Sequence, residues 1–298
     1  MRLSVKKRLS EVCRVSVIIT TKNRCEILEN AIRSVMSQTV KNLECIVVDD
    51  ASVDCTQAKY EKDPRIIYVR IDEKDSCGGN YARNQGLARA TGDVVAFLDD
   101  DDEWMPKKLE KQLELLNEHP GSVIFCGRKF KKMSSKNVFV QTVIPPKKFS
   151  GNLSRLIRTT YVTSTSCLLF PKKLLNQVGG YDEKLTFWQE YELCIRLAQI
   201  ADFYFVPEAL VSCLDCTNIA ARVSNRVLNW KENTAYIRSK HKALYADLTL
   251  RESWEYHATL YKDAFRRCRR ANKKLKSLYY GTLRLFVEFI PSRIFHIF

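Results

Sequence analysis

Apolar residues arrive along the first half of the chain in short unbroken runs, separated by stretches in which they recur every three or four positions. The runs Val15 to Thr20, Leu43 to Val48, Ile66 to Ile71 and Asp93 to Leu98 have strand length and little polar alternation, which predicts strands covered on both faces. Between them, Glu26 to Gln38 places Ile27, Leu28, Ala31, Ile32 and Val35 at helical spacing, and Asn80 to Ala90 reads as a second helix. Pro106 stands near the start of a third helix, running through Asn117, where a missing N–H costs little. Strands alternating with helices predict an α/β fold: a mostly parallel, doubly wound, Rossmann-like sheet flanked by helices.

The pattern changes after the apolar run Ser122 to Cys126. Two extended runs, Lys129 to Met133 and Val138 to Val143, flank "SSKN" and predict a hairpin. A short helix from Gly151, a strand over Val162 to Phe170 and a helix over Trp188 to Ala201 follow. From Val223 onward the spacing is almost entirely helical. This divides the chain into an α/β domain over 1–220 and a helical extension over 221–298.

Charge sharpens that division. The net charge is +15, and residues 222–298 hold 17 Lys/Arg against 6 Asp/Glu, or +11, leaving +4 for the rest. A basic extension can face nucleic acid, anionic lipid or a polyanionic substrate, and charge alone does not choose. The 11 cysteines are irregularly spaced and several lie in apolar runs, as Cys45, Cys126 and Cys167 do. They predict reduced, buried thiols of a cytoplasmic protein more than a disulfide framework, and the lone pair Cys213 and Cys216 lacks the second ligand pair of a structural zinc site. The first residues carry charge without an apolar core, and no run is long enough to span a bilayer, so a cytoplasmic location is expected.

The chemistry concentrates at two acidic strand ends. "CIVVDD" closes on Asp49 and Asp50, and "VVAFLDDDD" closes on Asp99 to Asp102. In an open parallel sheet ligands bind beyond the carboxyl ends of the strands, so both clusters should face one crevice. One such end alone is equally well a helix cap or a solvated turn. Four adjacent carboxylates repel one another unless a cation, hydrogen bonds or solvent offset the crowding. Hard oxygen donors without nearby imidazole or thiolate suit Mn²⁺ or Mg²⁺, with coordination positions left for substrate phosphates.

The segments "VSVIITTKNR", "LECIVVDDAS", "GGNYARNQGLARATGDVVAFLDDDDEW" and "GGYDEKLTFWQEYELCIRLA" resemble, in order and spacing, the motifs of the inverting glycosyltransferases of family two, which have a GT-A fold. The resemblance covers about Val15 to Ala201 and implies a donor that is a nucleotide-sugar, by default a UDP-sugar, with Mn²⁺ or Mg²⁺ as cofactor. It further implies that Asp50 recognises the base, with Thr21 on the loop lining that pocket and Arg83 close to the nucleotide. Asp99 and Asp101 match the ends of the D-x-D motif, which binds ribose and the metal ion; Asp102 follows as a supporting acid. The family's base is commonly the aspartate of an E-D pair at a helix start. Here the aligned residues are Gln189 and Glu190, so Glu190 is the expected catalytic base, the alternative being a helix cap.

Gly179 and Gly180 are expected in a turn, Trp188 either stacks on an acceptor sugar or anchors the interior, and Arg196 pairs with an acid or the diphosphate. The extension makes the chain resemble bacterial enzymes building capsular, lipopolysaccharide or other surface glycans on a lipid-linked acceptor. Cations from Arg266 to Lys276 followed by Leu283, Leu285, Phe286, Phe289, Ile290, Ile294 and Phe295 suit a helix lying peripherally at the inner membrane face, packed on the catalytic domain, or making a subunit contact. Two other classes compete. Nucleotidyl transfer also uses carboxylate-held metal but lacks its loop after the first strand, and nucleic-acid binding leaves the acidic strand ends unexplained.

Overall fold

The computed structural model describes residues 13–133, 138–215, 230–270 and 273–289. The chain opens with β1 (Val15–Thr21), α1 (Cys25–Met36), β2 (Leu43–Asp50), α2 (Thr56–Tyr60), β3 (Ile67–Ile71), α3 (Gly79–Arg89) and β4 (Val94–Asp99). The four strands are parallel in the order β3-β2-β1-β4, a doubly wound arrangement, and a two-residue strand, β8 (Phe170–Pro171), adds antiparallel to β4. Alternate residues of each strand feed opposite faces. In β1, Val15, Val17 and Ile19 join a cluster with Leu28, Ile32 and Val35 of α1, whereas Ile18 joins Ala82 and Leu87 of α3 on the other side. The register pairs Thr21 with Asp49 and Thr20 with Asp99, so the carboxyl ends of β1, β2 and β4 lie on one rim.

Helix α3 lies unusually close to the sheet. A Cβ on Gly86 would collide with Ile18 Cγ2 and come within 3.1 Å of Val48 Cγ2, so only glycine lets helix and sheet approach this far.

A second sheet follows, built from β5 (Asp102–Trp104), α4 (Lys108–Glu118), β6 (Val123–Met133) and β7 (Val138–Val143), then α5 (Lys172–Val178), α6 (Gln189–Leu197) and β9 (Phe203–Asp215). Its order is β5-β9-β6-β7. β6 and β7 form the expected antiparallel pair, while "SSKN" lies outside the described residues. β5 and β9 were not legible as strands. β9 contains Pro207 and Glu208, and its register against β6 slips between Val206 and Ala209, so the proline sits in a bulge where no ladder N–H is needed.

Two expectations are corrected here. Val162 to Phe170 is not a continuous strand: Thr165–Cys167 forms a single 3₁₀ turn, Leu169 makes one bridge to Ile124, and Phe170–Pro171 pairs with β4. The helix expected from Gly151 is a 3₁₀ turn over Leu156–Arg158, and Gly151 itself bridges to Phe203. One pair departs from the cysteine reading. Cys25 and Cys55 form a disulfide, whereas Cys45, Cys126, Cys167, Cys194, Cys213 and Cys268 are free and buried.

The extension comprises α7 (Trp230–Lys240), α8 (Lys242–Ala246), α9 (Leu250–Arg270) and α10 (Lys274–Phe289). Trp230, Ile237, Tyr245, Tyr256 and Leu260 belong to the same buried cluster as Phe97, Tyr191 and Ile195, so these helices continue the core of the α/β layer. The boundary expected near 220, and Cys216, lie outside the described residues. No helix among the described residues is long and apolar enough to cross a membrane.

Candidate active site

The rim is built from the ends of β1, β2 and β4, the start of α3, and the start of α6. Two consecutive acids close β2, and the structure separates their roles. Asp49 is saturated: Tyr68 OH donates at 2.5 Å, Arg70 Nη1 at 2.7 Å, and the Ser52 N–H at 2.8 Å. Asp50 is also buried, yet its Oδ1 has no hydrogen-bond partner among the described residues, and its Oδ2 has only Lys22 Nζ at 3.8 Å. A buried acceptor left unpaired costs about 1–3 kcal/mol, so Asp50 is prepared for a donor that the chain does not supply.

Crosslinks hold the two loops around Asp50. Asn23 Oδ1 accepts from the Val53 N–H at 2.7 Å, Ser52 Oγ from the Asn23 N–H at 2.8 Å, and Asp54 Oδ2 from the Cys25 N–H at 3.0 Å. Asn23 and Ala51 both have positive φ, a conformation that costs non-glycine residues energy and clusters at sites the surroundings over-determine.

The four aspartates sort by burial. The Asp99 and Asp101 side chains are 35% and 15% exposed, whereas that of Asp100 is 6% exposed and turned inward. Asp100 takes Thr21 Oγ1 at 2.8 Å and Arg24 Nη1 at 2.7 Å; burial, with Asp101 adding to it, still pushes its carboxyl up to about 6. Thr21 therefore braces an acid. Asp102 begins β5 opposite Cys213, fully buried beside Ser166, and burial followed by the charges of Asp99 and Asp101 raises its pKa. Asp102, expected as a supporting acid, is thus more buried than Asp99 and Asp101. Arg24 also reaches Asp101 Oδ2 at 3.5 Å, and Arg83 Nη2 donates to Asp99 Oδ1 at 2.8 Å. Arg24 and Arg83 thus offset the crowding of like charges, and burial disfavours the charged form of Asp100 and Asp102.

Arg83 is itself buried, one turn into α3, with Asn80 Oδ1 at 3.3 Å and its guanidinium 5.4 Å from the Tyr181 ring centre. Burial opposes its charge; Asp99, Tyr181 and Glu190 more than offset this. Glu190, the second residue of α6, thus faces the same neighbourhood. Tyr161 OH donates to Glu190 Oε1 at 2.6 Å, and burial, reinforced by the Glu190 charge, raises the Tyr161 phenol well above its usual range.

The structure settles the neighbouring positions. Trp188 is an interior anchor, buried between Phe187 and Tyr191. Gly179 and Gly180 have positive φ and form the turn after α5, clasped where the Tyr181 N–H donates to Asn84 Oδ1 at 2.9 Å. Arg196 pairs with Glu192, at 2.7 Å. Sequence reasoning missed Arg24, Tyr161 and Glu192. Arg24 stands in "TTKNR", but its partners are 76 and 77 positions away.

The family model described as Glycosyl transferase family 2 matches residues 16–179, which contain both acidic strand ends. The chain belongs to glycosyl transferase family 2. It is 30% identical over 227 residues to an uncharacterized glycosyltransferase of Rickettsia prowazekii, covering 73% of this chain and 68% of the relative. It is 40% identical over 189 residues to the GalNAc(5)-diNAcBac-PP-undecaprenol beta-1,3-glucosyltransferase of Campylobacter jejuni, covering 59% and 58%. Among solved structures, Staphylococcus aureus TarS in complex with UDP-GlcNAc superposes with a TM-score of 0.57 at 18% identity, over 92% of this chain and 89% of that one. A mannosyltransferase from Pyrobaculum calidifontis in complex with GDP-Man and Mn²⁺ gives 0.54 at 18%, over 95% and 83%. This family 2 member is a glycosyltransferase with the GT-A fold.

Proposed function

We propose that this enzyme moves a sugar from a UDP-sugar, with inversion, to a hydroxyl of a surface glycan or lipid-linked acceptor at the cytoplasmic membrane face. The observation that carries the reading is the unpaired Oδ1 of Asp50 on the same rim as Asp99, Asp101 and Arg83. A single buried carboxylate acceptor matches the single imide N–H that uracil presents. Asp99 and Asp101 are the hard, solvent-reachable oxygen donors that would hold a divalent ion, which would supply positive charge beside the leaving diphosphate. The undecaprenol-linked acceptor named for the Campylobacter relative and the nucleotide-sugars named for the two structures support the same substrate classes.

Glu190 removes the proton of the acceptor hydroxyl as that oxygen bonds to the anomeric carbon, while the bond from that carbon to the diphosphate oxygen breaks on the opposite face. Tyr161 holds one carboxylate oxygen and so fixes the direction in which the other points. Arg83 keeps Asp99 in place beneath the donor.

The test is release of nucleoside diphosphate from a panel of sugar nucleotides, with and without chelator. UDP-sugars are expected to turn over best, and Asp101→Ala to lower turnover roughly a hundredfold, the scale for losing one transition-state electrostatic partner. Turnover indifferent both to chelator and to Asp101→Ala would remove the metal from the proposal.

A further inference from the structure

The catalytic chemistry leaves the α9–α10 hairpin unused. The inner face of α10 is occupied: Tyr280 is buried, Leu283 packs against the core, and Gly281 lets the Phe265 ring of α9 come close. Its outer face is apolar as well. Leu275, Leu278 and Leu285 are 86%, 68% and 50% exposed, and Tyr279 lies beside them. Spacings of three and seven put these leucines in one row along the helix, roughly 15 Å long at 1.5 Å per residue. A cleft of about 610 Å³ opens between the two helices, and Phe265, Cys268, Leu278, Arg269, Lys273 and Lys274 are among the residues that line it.

Exposed leucines in a row are unfavourable in water and mark a surface that something covers. The charge beside them decides what. Between Arg266 and Lys276 there are seven cationic residues and no acid. A second copy of this chain would bring the same cations face to face. An anionic bilayer complements both parts, with lipid phosphates against the lysines and acyl chains against the leucines.

We propose that this hairpin docks on an anionic lipid bilayer, with the Leu275–Leu278–Leu285 row entering the acyl boundary and Lys273, Lys274 and Lys276 on the headgroup phosphates. Of the row the sequence suggests, Leu283 faces inward and Leu285 outward, Leu275 and Leu278 join Leu285, and the side chains of Phe286, Phe289, Ile290, Ile294 and Phe295 lie outside the described residues. The inference is independent of the donor and of the catalytic base.

The experiment is co-flotation of the full chain with phosphatidylglycerol-containing vesicles and with pure phosphatidylcholine vesicles. Binding is expected on the former, weakened by salt and at least tenfold lower on the latter, since each exposed cation adds attraction to an anionic surface. Leu275→Ser with Leu278→Ser is expected to lower partitioning roughly tenfold or more, and Lys273→Glu with Lys274→Glu likewise. All four side chains are exposed, so circular dichroism should be unchanged. Equal partitioning on both vesicle types, or partitioning unchanged by both double variants, overturns the proposal. So does a dimer, seen by light scattering, that Leu275→Ser with Leu278→Ser dissociates.

Discussion

Glu190→Gln is expected to lower the rate of sugar transfer by about 10²–10⁴-fold, the usual worth of a positioned general base, while leaving donor affinity within a few-fold of the parent. The amide keeps the shape and can still accept from Tyr161 OH, but it cannot take a proton from the acceptor hydroxyl. Single-turnover transfer together with donor-binding calorimetry separates the two steps. Tyr161→Phe supplies the complement. It leaves the carboxylate but frees its orientation, so a smaller fall in kcat is expected. Parent-like turnover in Glu190→Gln would move the base elsewhere on the rim.

The second large effect concerns stability and lies two residues further along α6. Glu192 is fully buried and meets three basic side chains: Arg196 Nη2 at 2.7 Å, Lys240 Nζ at 2.8 Å and His241 Nε2 at 3.0 Å. Burial works against its charge, and hydrogen bonds from His241 and Arg196, followed by Lys240, prevail and hold the carboxyl down to about 2 from 4.5. A carboxyl depressed in the folded state contributes stability that is complete above its unfolded value near 4.5, and loses it as pH falls through that value towards about 2. The shift corresponds to about 3 kcal/mol. Glu192→Gln is therefore expected to cost about 3 kcal/mol near neutral pH, because it removes the buried negative charge that these partly exposed basic side chains converge on. It should also flatten the decline in melting temperature between pH 5 and pH 3. Thermal melts of the two proteins across that range measure both effects; parallel pH profiles would show that Glu192 does not drive acid unfolding.

These two glutamates show how far the sequence could be read. Glu190 was accessible because it stands in a motif with fixed spacing from the acidic strand ends. Glu192 was not: its partners Lys240 and His241, the last residue of α7 and the one after it, stand about 50 positions later, and no local pattern encodes a contact made by packing distant segments together. The parallel sheet was legible for a comparable reason, since strands covered on both faces are written as unbroken apolar runs. β9 was hidden because Pro207 interrupts its run at the bulge. Within Asp99 to Asp102 the spelling is uniform, and the division of labour comes from backbone direction. β4 ends and β5 begins inside the tetrad, so Asp99 and Asp101 reach solvent while Asp100 and Asp102 face the interior. The charge balance followed the same division, with Arg24 and Arg83 arriving from other elements.

The missing side chain at Gly86 has a bearing on specificity that reaches beyond packing. Gly86 lies one turn after Arg83 on α3 and sets how low that helix rides on β1 and β2. The guanidinium meets Asp99 across 2.8 Å, a gap with almost no slack. Even one methyl inserted under the helix would act as a wedge, tilting Arg83 upward and leaving Asp99 without its counter-charge. The alignment of the acidic rim is therefore levelled from below, by an atom that is not there.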